Sequence, residues 1–178
     1  IPLVVDGRID ASWRHTGHGG FVVEDDAVRT QCDPQGLGLL VYAKERLGNC
    51  QIRLHYKSQN SKSNSGVYVR IDEGIIERLG TQPPGFERDK KGQPTQQSLE
   101  RLIAAADGDA GPWYAVHHGY EVQICDGADE WHRTGSIYSL AQAEAIPNPE
   151  PGDWKTMIVT LRDQIVQVDV DGRRITTF

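Results

Sequence analysis

Apolar and polar residues alternate along most of this chain in short runs, each closed by Gly, Asp, Asn or Pro. Period-two alternation sends successive side chains to opposite faces of a strand, so the pattern predicts an all-β sandwich. Strands are expected at Phe21–Glu24, Ala27–Thr30, Leu39–Tyr42, Cys50–Tyr56, Gly66–Ile71, Gly119–Ile124, Gly135–Tyr138, Lys155–Arg162, Ile165–Val170 and Arg173–Phe178. Polar breaks at Glu24-Asp25-Asp26 and Leu161-Arg162-Asp163-Gln164 mark hairpins, and Asp171-Gly172 has the residues of a type I′ turn. The last three runs read as a meander, with Val166, Val168 and Val170 on one face and Ile165, Gln167 and Asp169 on the other.

Residues 71–118 break this rhythm. They contain Gln82-Pro83-Pro84-Gly85, a charged stretch from Glu87 to Gly92, and then Thr95–Ala106. In the last, Leu99, Leu102, Ile103 and Ala106 recur at i, i+3, i+4 and i+7, which predicts a helix of about three turns packing that stripe. Long excursions from compact domains commonly serve as lids or mobile segments. With no internal repeat and no second core in view, residues 1–178 read as a single domain with an insertion at about 71–118.

Composition agrees with one substantial core: 178 residues, 38% of them hydrophobic and 25% charged. A net charge of −6 and scattered Lys and Arg residues argue against nucleic acid as a partner. No run approaches the roughly 18 apolar residues of a membrane span, so a soluble protein is expected. Cys32, Cys50 and Cys125 are odd in number and lack a CxxC spacing, so they signal neither a disulfide framework nor a zinc knuckle. The first residue is Ile1, with no leader pattern, which leaves secreted, periplasmic and cytoplasmic locations all open. Oligomeric state is equally open.

Two segments carry the candidate chemistry. In Asn64-Ser65-Gly66-Val67-Tyr68-Val69-Arg70, the valines point one way and Asn64, Gly66, Tyr68 and Arg70 the other. In Gly119–Asp126, Val122 and Ile124 oppose Glu121 and Gln123. Residues i and i+2 of a strand lie about 6.5–7 Å apart on one face, so Glu121 and Gln123 are neighbours to which an adjacent strand can add Tyr68 and Arg70. A carboxylate beside a guanidinium, an amide and a phenol can move a proton, stabilise an oxyanion and hold hydroxyl groups. A solvated polar face with a Glu–Arg salt bridge accounts for the same spacing.

Other chemistries find less support. HExxH, Walker, GxSxG and Rossmann motifs are absent. His117 and Glu121 would sit about 13 Å apart along an extended chain, too far to share an ion. A divalent cation held by loop carboxylates and carbonyls stays open as a cofactor, with its ligands unassigned. Trp154, directly before a strand, is expected to plug the core, whereas Trp113 and Trp131 flank the Glu121 strand in sequence and are candidates for a pocket rim.

The order of these elements, together with Phe21-Val22-Val23-Glu24-Asp25, Thr134-Gly135-Ser136-Ile137-Tyr138 and Gly152-Asp153-Trp154, resembles the 3-keto-disaccharide hydrolase family, also described as 3-keto-glucoside 1,2-lyase/3-keto-2-hydroxy-glucal hydratase domains. The resemblance covers nearly the whole chain. It implies a concanavalin A-like jelly-roll β-sandwich acting on a glucoside oxidised at C3, or binding another carbohydrate. A ketone at C3 acidifies the C2 proton, so a carboxylate can abstract it while the C1 substituent leaves, after which water adds to the double bond. Carried over by position, the resemblance implies Glu121, Arg70 and Tyr138 as catalytic groups, with Asn64, Gln123 and Asp126 around the substrate; Tyr68, Trp113 and Trp131 join the substrate-binding candidates from the spacing above. Lys155 departs from the family pattern, which usually has Asn there, and the 71–118 segment is longer than the family's connection. A non-catalytic, lectin-like carbohydrate-binding module on the same fold is the main alternative, and a protein-interaction sandwich a third.

Overall fold

Strand alternation near the C-terminus builds the largest sheet of the molecule. The computed structural model describes residues 1–178, which divide into two compact units: 1–46 with 71–118, and 47–70 with 119–178. The first contains strands β1 (Val4–Val5), β2 (Arg8–Ile9), β3 (Trp13–Gly17), β4 (Gly20–Glu24), β5 (Ala27–Gln31) and β6 (Gly38–Tyr42). It also holds a 3₁₀ turn at Glu73–Arg78 and helices α1 (Gln96–Asp107) and α2 (Trp113–His118). In the second unit are β7 (Cys50–Tyr56), β8 (Ser65–Val69), β9 (Tyr120–Ile124), β10 (Lys155–Arg162), β11 (Ile165–Val170) and β12 (Arg173–Thr177). With 37% strand and 13% helix, the chain is mostly β, as the alternation predicts, and no barrel closes.

In the first unit, β3 pairs with β6 and β4 with β5, all antiparallel. The β4–β5 turn places both Asp25 and Asp26 at positive φ, the geometry that matches the right-handed twist of a two-residue hairpin. Helix α1 forms where expected, capped by the Thr95 hydroxyl, which accepts from the Ser98 amide at 3.2 Å. Its buried face differs from the predicted stripe. Ser98 and Ala105 are buried while Ile103 is 58% exposed. The Ser98 hydroxyl accepts from the Glu87 amide at 2.7 Å and reaches the Gly85 carbonyl at 3.4 Å, so polar bonds to the preceding loop accompany the rotation that turns Leu99 and Ile103 outward.

The second unit holds the main hydrophobic cluster. Its antiparallel sheet runs β12-β11-β10-β7, and the predicted meander face is realised: Val166, Val168 and Val170 are buried with Met157, Val159 and Leu161 of β10, while Ile165 is exposed. Asp171 and Gly172 both take positive φ in the β11–β12 turn, as type I′ requires. Val69, Val122, Ile124 and Ile137 join the same cluster from β8, β9 and the segment after it.

Alternation along β10 also corrects one expectation. Lys155 shares the inward face of Met157, Val159 and Leu161 and is only 1% exposed, so its neighbour Trp154 must face outward. Trp154 is 56% exposed, with the Lys57 ammonium 5.1 Å from its ring centre, and does not plug the core. The strand expected at Gly135–Tyr138 is instead a pair of isolated bridges from Ile137 to Val122 and Ala141. Gly135, at φ +86°, sits where a Cβ would meet the Ile175 side chain at 2.2 Å, so the chain passes too close to β12 for a regular strand. β8 likewise stops at Val69, because Arg70 turns to φ +58°.

Candidate active site

Glu121 lies at the centre of a row of cross-strand neighbours. β8 and β9 are antiparallel with Tyr68 opposite Glu121 and Gly66 opposite Gln123. On the other edge of β9, Val122 bridges Ile137 and the Tyr138 amide donates to the Glu121 carbonyl at 2.9 Å. Since Val122 and Ile137 are both buried in the core, Tyr68, Glu121 and Tyr138 occupy the opposite face, roughly 4.5–5.5 Å apart at Cβ.

The Tyr68 hydroxyl donates to Glu121 Oε2 at 2.9 Å. Burial raises the Glu121 carboxyl above its ordinary range, and the bond from Tyr68 offsets part of that rise. Tyr68 is itself pushed up, first by burial, then by the Glu121 charge and hydrogen bond, and least by Tyr138. The pair therefore couples a carboxylate able to take a proton with a phenol that keeps its own. A partly buried carboxylate with a raised pKa is suited to general-base work.

Gly66 makes room for this arrangement. A Cβ there would sit 2.4 Å from Glu121 Oε1 and 2.7 Å from its Cγ, so any side chain displaces the carboxylate. Gly66→Ala is expected to lower turnover about 100-fold by moving the carboxylate away from Tyr68. Its unfolding free energy should stay within ~1 kcal/mol, since Ala is preferred to Gly inside a strand by roughly that amount. Steady-state kinetics together with a denaturant melt read both quantities.

The other expected site residues part into groups. Gln123 is 2% exposed, and its Oε1 accepts from the Ile124 amide at 2.9 Å, so its amide serves the strand beside the Glu121 row. Arg70 makes no ion pair with Glu121; its guanidinium donates to the Ile165 carbonyl at 3.4 Å. The left-handed backbone at Arg70 takes it off the alternation that would have placed it beside Tyr68. Asn64 is exposed just before β8. Trp131 and Tyr138 are exposed in the second unit, while Trp113 belongs to α2 of the first, its ring 6.5 Å from that of His117.

Asp126 is enclosed. Its carboxylate accepts from Thr134 Oγ1 at 2.5 Å and from Lys155 Nζ at 3.3 Å, with both charged side chains almost fully buried. Lys155 Nζ also donates to the Glu150 carbonyl at 2.7 Å. Tyr56 closes the group, its phenol raised by burial first and the Asp126 charge second. The departure at Lys155 thus supplies the charge that neutralises a buried Asp126. A concavity of about 210 Å³ opens beside Asp126, Arg133, Thr134 and Ile146, and Glu121 does not line it.

His117 and His118 end a helix, not a strand, and both hydrogen-bond Asp109, at 2.6 and 2.9 Å. No group of three or more His, Cys, Asp or Glu residues is gathered to hold a metal ion. All three cysteines are free. No helix is long and apolar enough to cross a membrane.

Sequence reading did not single out Asp129 or Ser139, the two partners of His132. His132 Nδ1 lies 2.9 Å from both Asp129 carboxylate oxygens, and Nε2 lies 3.1 Å from Ser139 Oγ. The D-x-x-H spacing was visible in sequence, but Ser139 reaches His132 only because the chain reverses between them.

Comparison with known proteins adds three findings. A family model described as 3-keto-alpha-glucoside-1,2-lyase-like domain matches residues 2–178. Two crystal structures of glycosyl hydrolase candidates from Parabacteroides distasonis are similar in fold. One aligns over 97% of this chain and 69% of its own, with a TM-score of 0.61 and 17% identity. The other aligns over 76% of this chain and 53% of its own, with a TM-score of 0.50 and 19% identity. This chain therefore spans about half the length of one and two-thirds of the other. No curated protein matches.

Proposed function

The chain belongs to the 3-keto-disaccharide hydrolase family, and from that premise we propose that it cleaves 3-keto-glucosides by abstracting the C2 proton with Glu121, on a jelly-roll sandwich of the concanavalin A type. The observation that carries this reading is the Glu121 carboxylate, raised by burial, held at 2.9 Å by the Tyr68 hydroxyl and fitted over Gly66.

The C3 ketone makes C2–H acidic enough for a carboxylate to remove, and the electron pair moves towards the ketone as an enolate forms. Loss of the C1 substituent gives a 2-hydroxy-glucal ketone. Addition of water at C1, with Glu121 delivering to C2 a proton that has exchanged with solvent, completes net hydrolysis. One carboxylate then suffices where ordinary glycosidases need two. Tyr68 orients Glu121, Tyr138 and Trp131 border the sugar, and Asn64 binds a hydroxyl at the mouth. Arg70, off the Glu121 row, takes an outer part of the substrate. Gln123 and Asp126 support the site through their own strand and ion pair.

Incubating the protein with a panel of 3-keto-glucosides and reading products by mass spectrometry tests the function: free aglycone with 3-keto-glucose or the glucal ketone supports it, and intact substrates throughout refute it. Activity should fall on the acid side as Glu121 protonates, at a pH above the ordinary carboxylate range because burial raises this group. Tyr68→Phe removes the one interaction that lowers the Glu121 pKa, so the acid limb of kcat/KM moves to higher pH. A limb that stays in place or moves down contradicts the assignment of Glu121 as the base.

A further inference from the structure

Elimination from C1 needs a second proton-handling group, because an alkoxide leaves poorly unless it is protonated as it departs. Glu121 cannot fill both roles in one step. Asp126 is tied to Lys155 and Thr134 in the interior.

The Glu121 row continues beyond Tyr138. His132 packs on the Tyr138 ring with centroids 4.8 Å apart, so one aromatic ring stands between His132 and the Tyr68–Glu121 pair. Both Asp129 oxygens lie 2.9 Å from His132 Nδ1, and Asp129 also accepts from the Trp131 amide at 2.9 Å, which orders the turn carrying the imidazole. The Asp129 carboxyl is held below its usual range, chiefly by the His132 hydrogen bond. Nε2 meets Ser139 Oγ at 3.1 Å, and Ser139 takes φ +58°, a conformation that costs a non-glycine residue energy. Histidine is the side chain best suited to gain and lose a proton near neutrality.

An Asp–His–Ser chain also suggests a serine nucleophile, but the amides around Ser139 are taken. Ser139 N donates to the Trp131 carbonyl, and both Leu140 N and Ala141 N donate to the Ile137 carbonyl. No free N–H pair is left to hold an oxyanion, which acyl transfer requires.

The geometry points to His132, braced by Asp129 and linked to Ser139, as the acid that protonates the departing C1 oxygen in the Glu121 site. This rests on the reaction proposed above. In elimination, Glu121 takes the C2 proton and the C1–O bond breaks. The Ser139 hydroxyl passes its proton to the leaving oxygen and regains one from His132 Nε2–H, leaving neutral imidazole. In hydration the path reverses: His132 recovers a proton through Ser139 from the water that adds to C1, and protonated Glu121, having exchanged with solvent, protonates C2. Asp129 and Ser139 act as positioning and relay groups.

Leaving-group dependence tests this. An alkyl or sugar alcohol needs a proton to depart, whereas p-nitrophenolate does not. His132→Ala should lose about 10²–10³-fold in kcat on a 3-keto-glucoside with a sugar aglycone, and no more than about 5-fold on the p-nitrophenyl 3-keto-glucoside. His132→Gln, which keeps a hydrogen-bonding side chain, should show the same split, and Ser139→Ala a smaller one. Equal losses on both substrates, or none on either, overturn the role of His132 while leaving Glu121 as base. Release of neither leaving group by the unmodified protein overturns both.

Discussion

Glu121→Gln is expected to lower turnover of 3-keto-glucosides by about 10²–10⁴-fold, the range typical for loss of a positioned general base. The amide is close to isosteric and its oxygen can still accept from the Tyr68 hydroxyl, so the row Tyr68–Glu121–Tyr138 should persist. What disappears is the lone pair able to remove a proton. Sugar affinity should change little, because hydroxyl recognition is assigned to other groups. The same variant separates an enzyme from a lectin-like module. A module has no turnover to lose, and a side chain that only decorates a solvated face would alter rate by less than 10-fold or so. Calorimetric binding of a 3-keto-glucoside, measured beside kinetics, distinguishes these outcomes.

The second large effect falls on stability. Lys155→Met removes a buried ammonium while filling similar volume, and leaves the Asp126 carboxylate, 1% exposed, without its countercharge. Breaking a buried pair from one side costs about 3–5 kcal/mol, which for a chain of this size lowers Tm by roughly 6–20 °C. Adding Asp126→Asn to Lys155→Met should recover most of that loss, since the residual amide can still accept from Thr134 and no charge remains buried. Thermal melts of wild type, the single variant and the double variant complete the comparison. If the single variant melts with wild type, the pair is not as buried or as coupled as its geometry indicates.

Much of this architecture was legible because alternation is a strict signal. Val166, Val168 and Val170 were assigned to the apolar face of β11 from spacing alone, and the three lie buried. The same rule, run back along β10 from Met157, would have put Lys155 inside and Trp154 outside; the expectation for Trp154 followed its place at the strand entrance instead of phase. Strands β1 and β2, two residues each, are too short to show a period, and Trp13–Gly17 lacks one. The α1 stripe failed for another reason. Hydrophobic spacing found the helix, but a serine bonded to the Glu87 amide lies on its buried face.

At the site, the pairing of Tyr68 with Glu121 could be anticipated because both sit on polar faces of alternating segments. Arg70 could not be placed correctly, since a left-handed arginine leaves no mark in sequence. Gly66 was placed only on the polar face of its segment. Its part in seating the carboxylate emerges only from the cross-strand register, which sets Gly66 diagonal to Glu121. The link between His132 and Ser139 was hidden similarly, since the two are joined by a reversal that includes the bridge at Ile137.

The central claim is that Glu121 removes the C2 proton, and solvent deuterium incorporation tests it most directly. A 3-keto-glucoside treated with the protein in D₂O should give 3-keto-glucose carrying deuterium at C2 by NMR, and Glu121→Gln should suppress that incorporation in step with turnover. Product formed with the original C2 hydrogen retained, or incorporation unaffected by Glu121→Gln, would contradict the account.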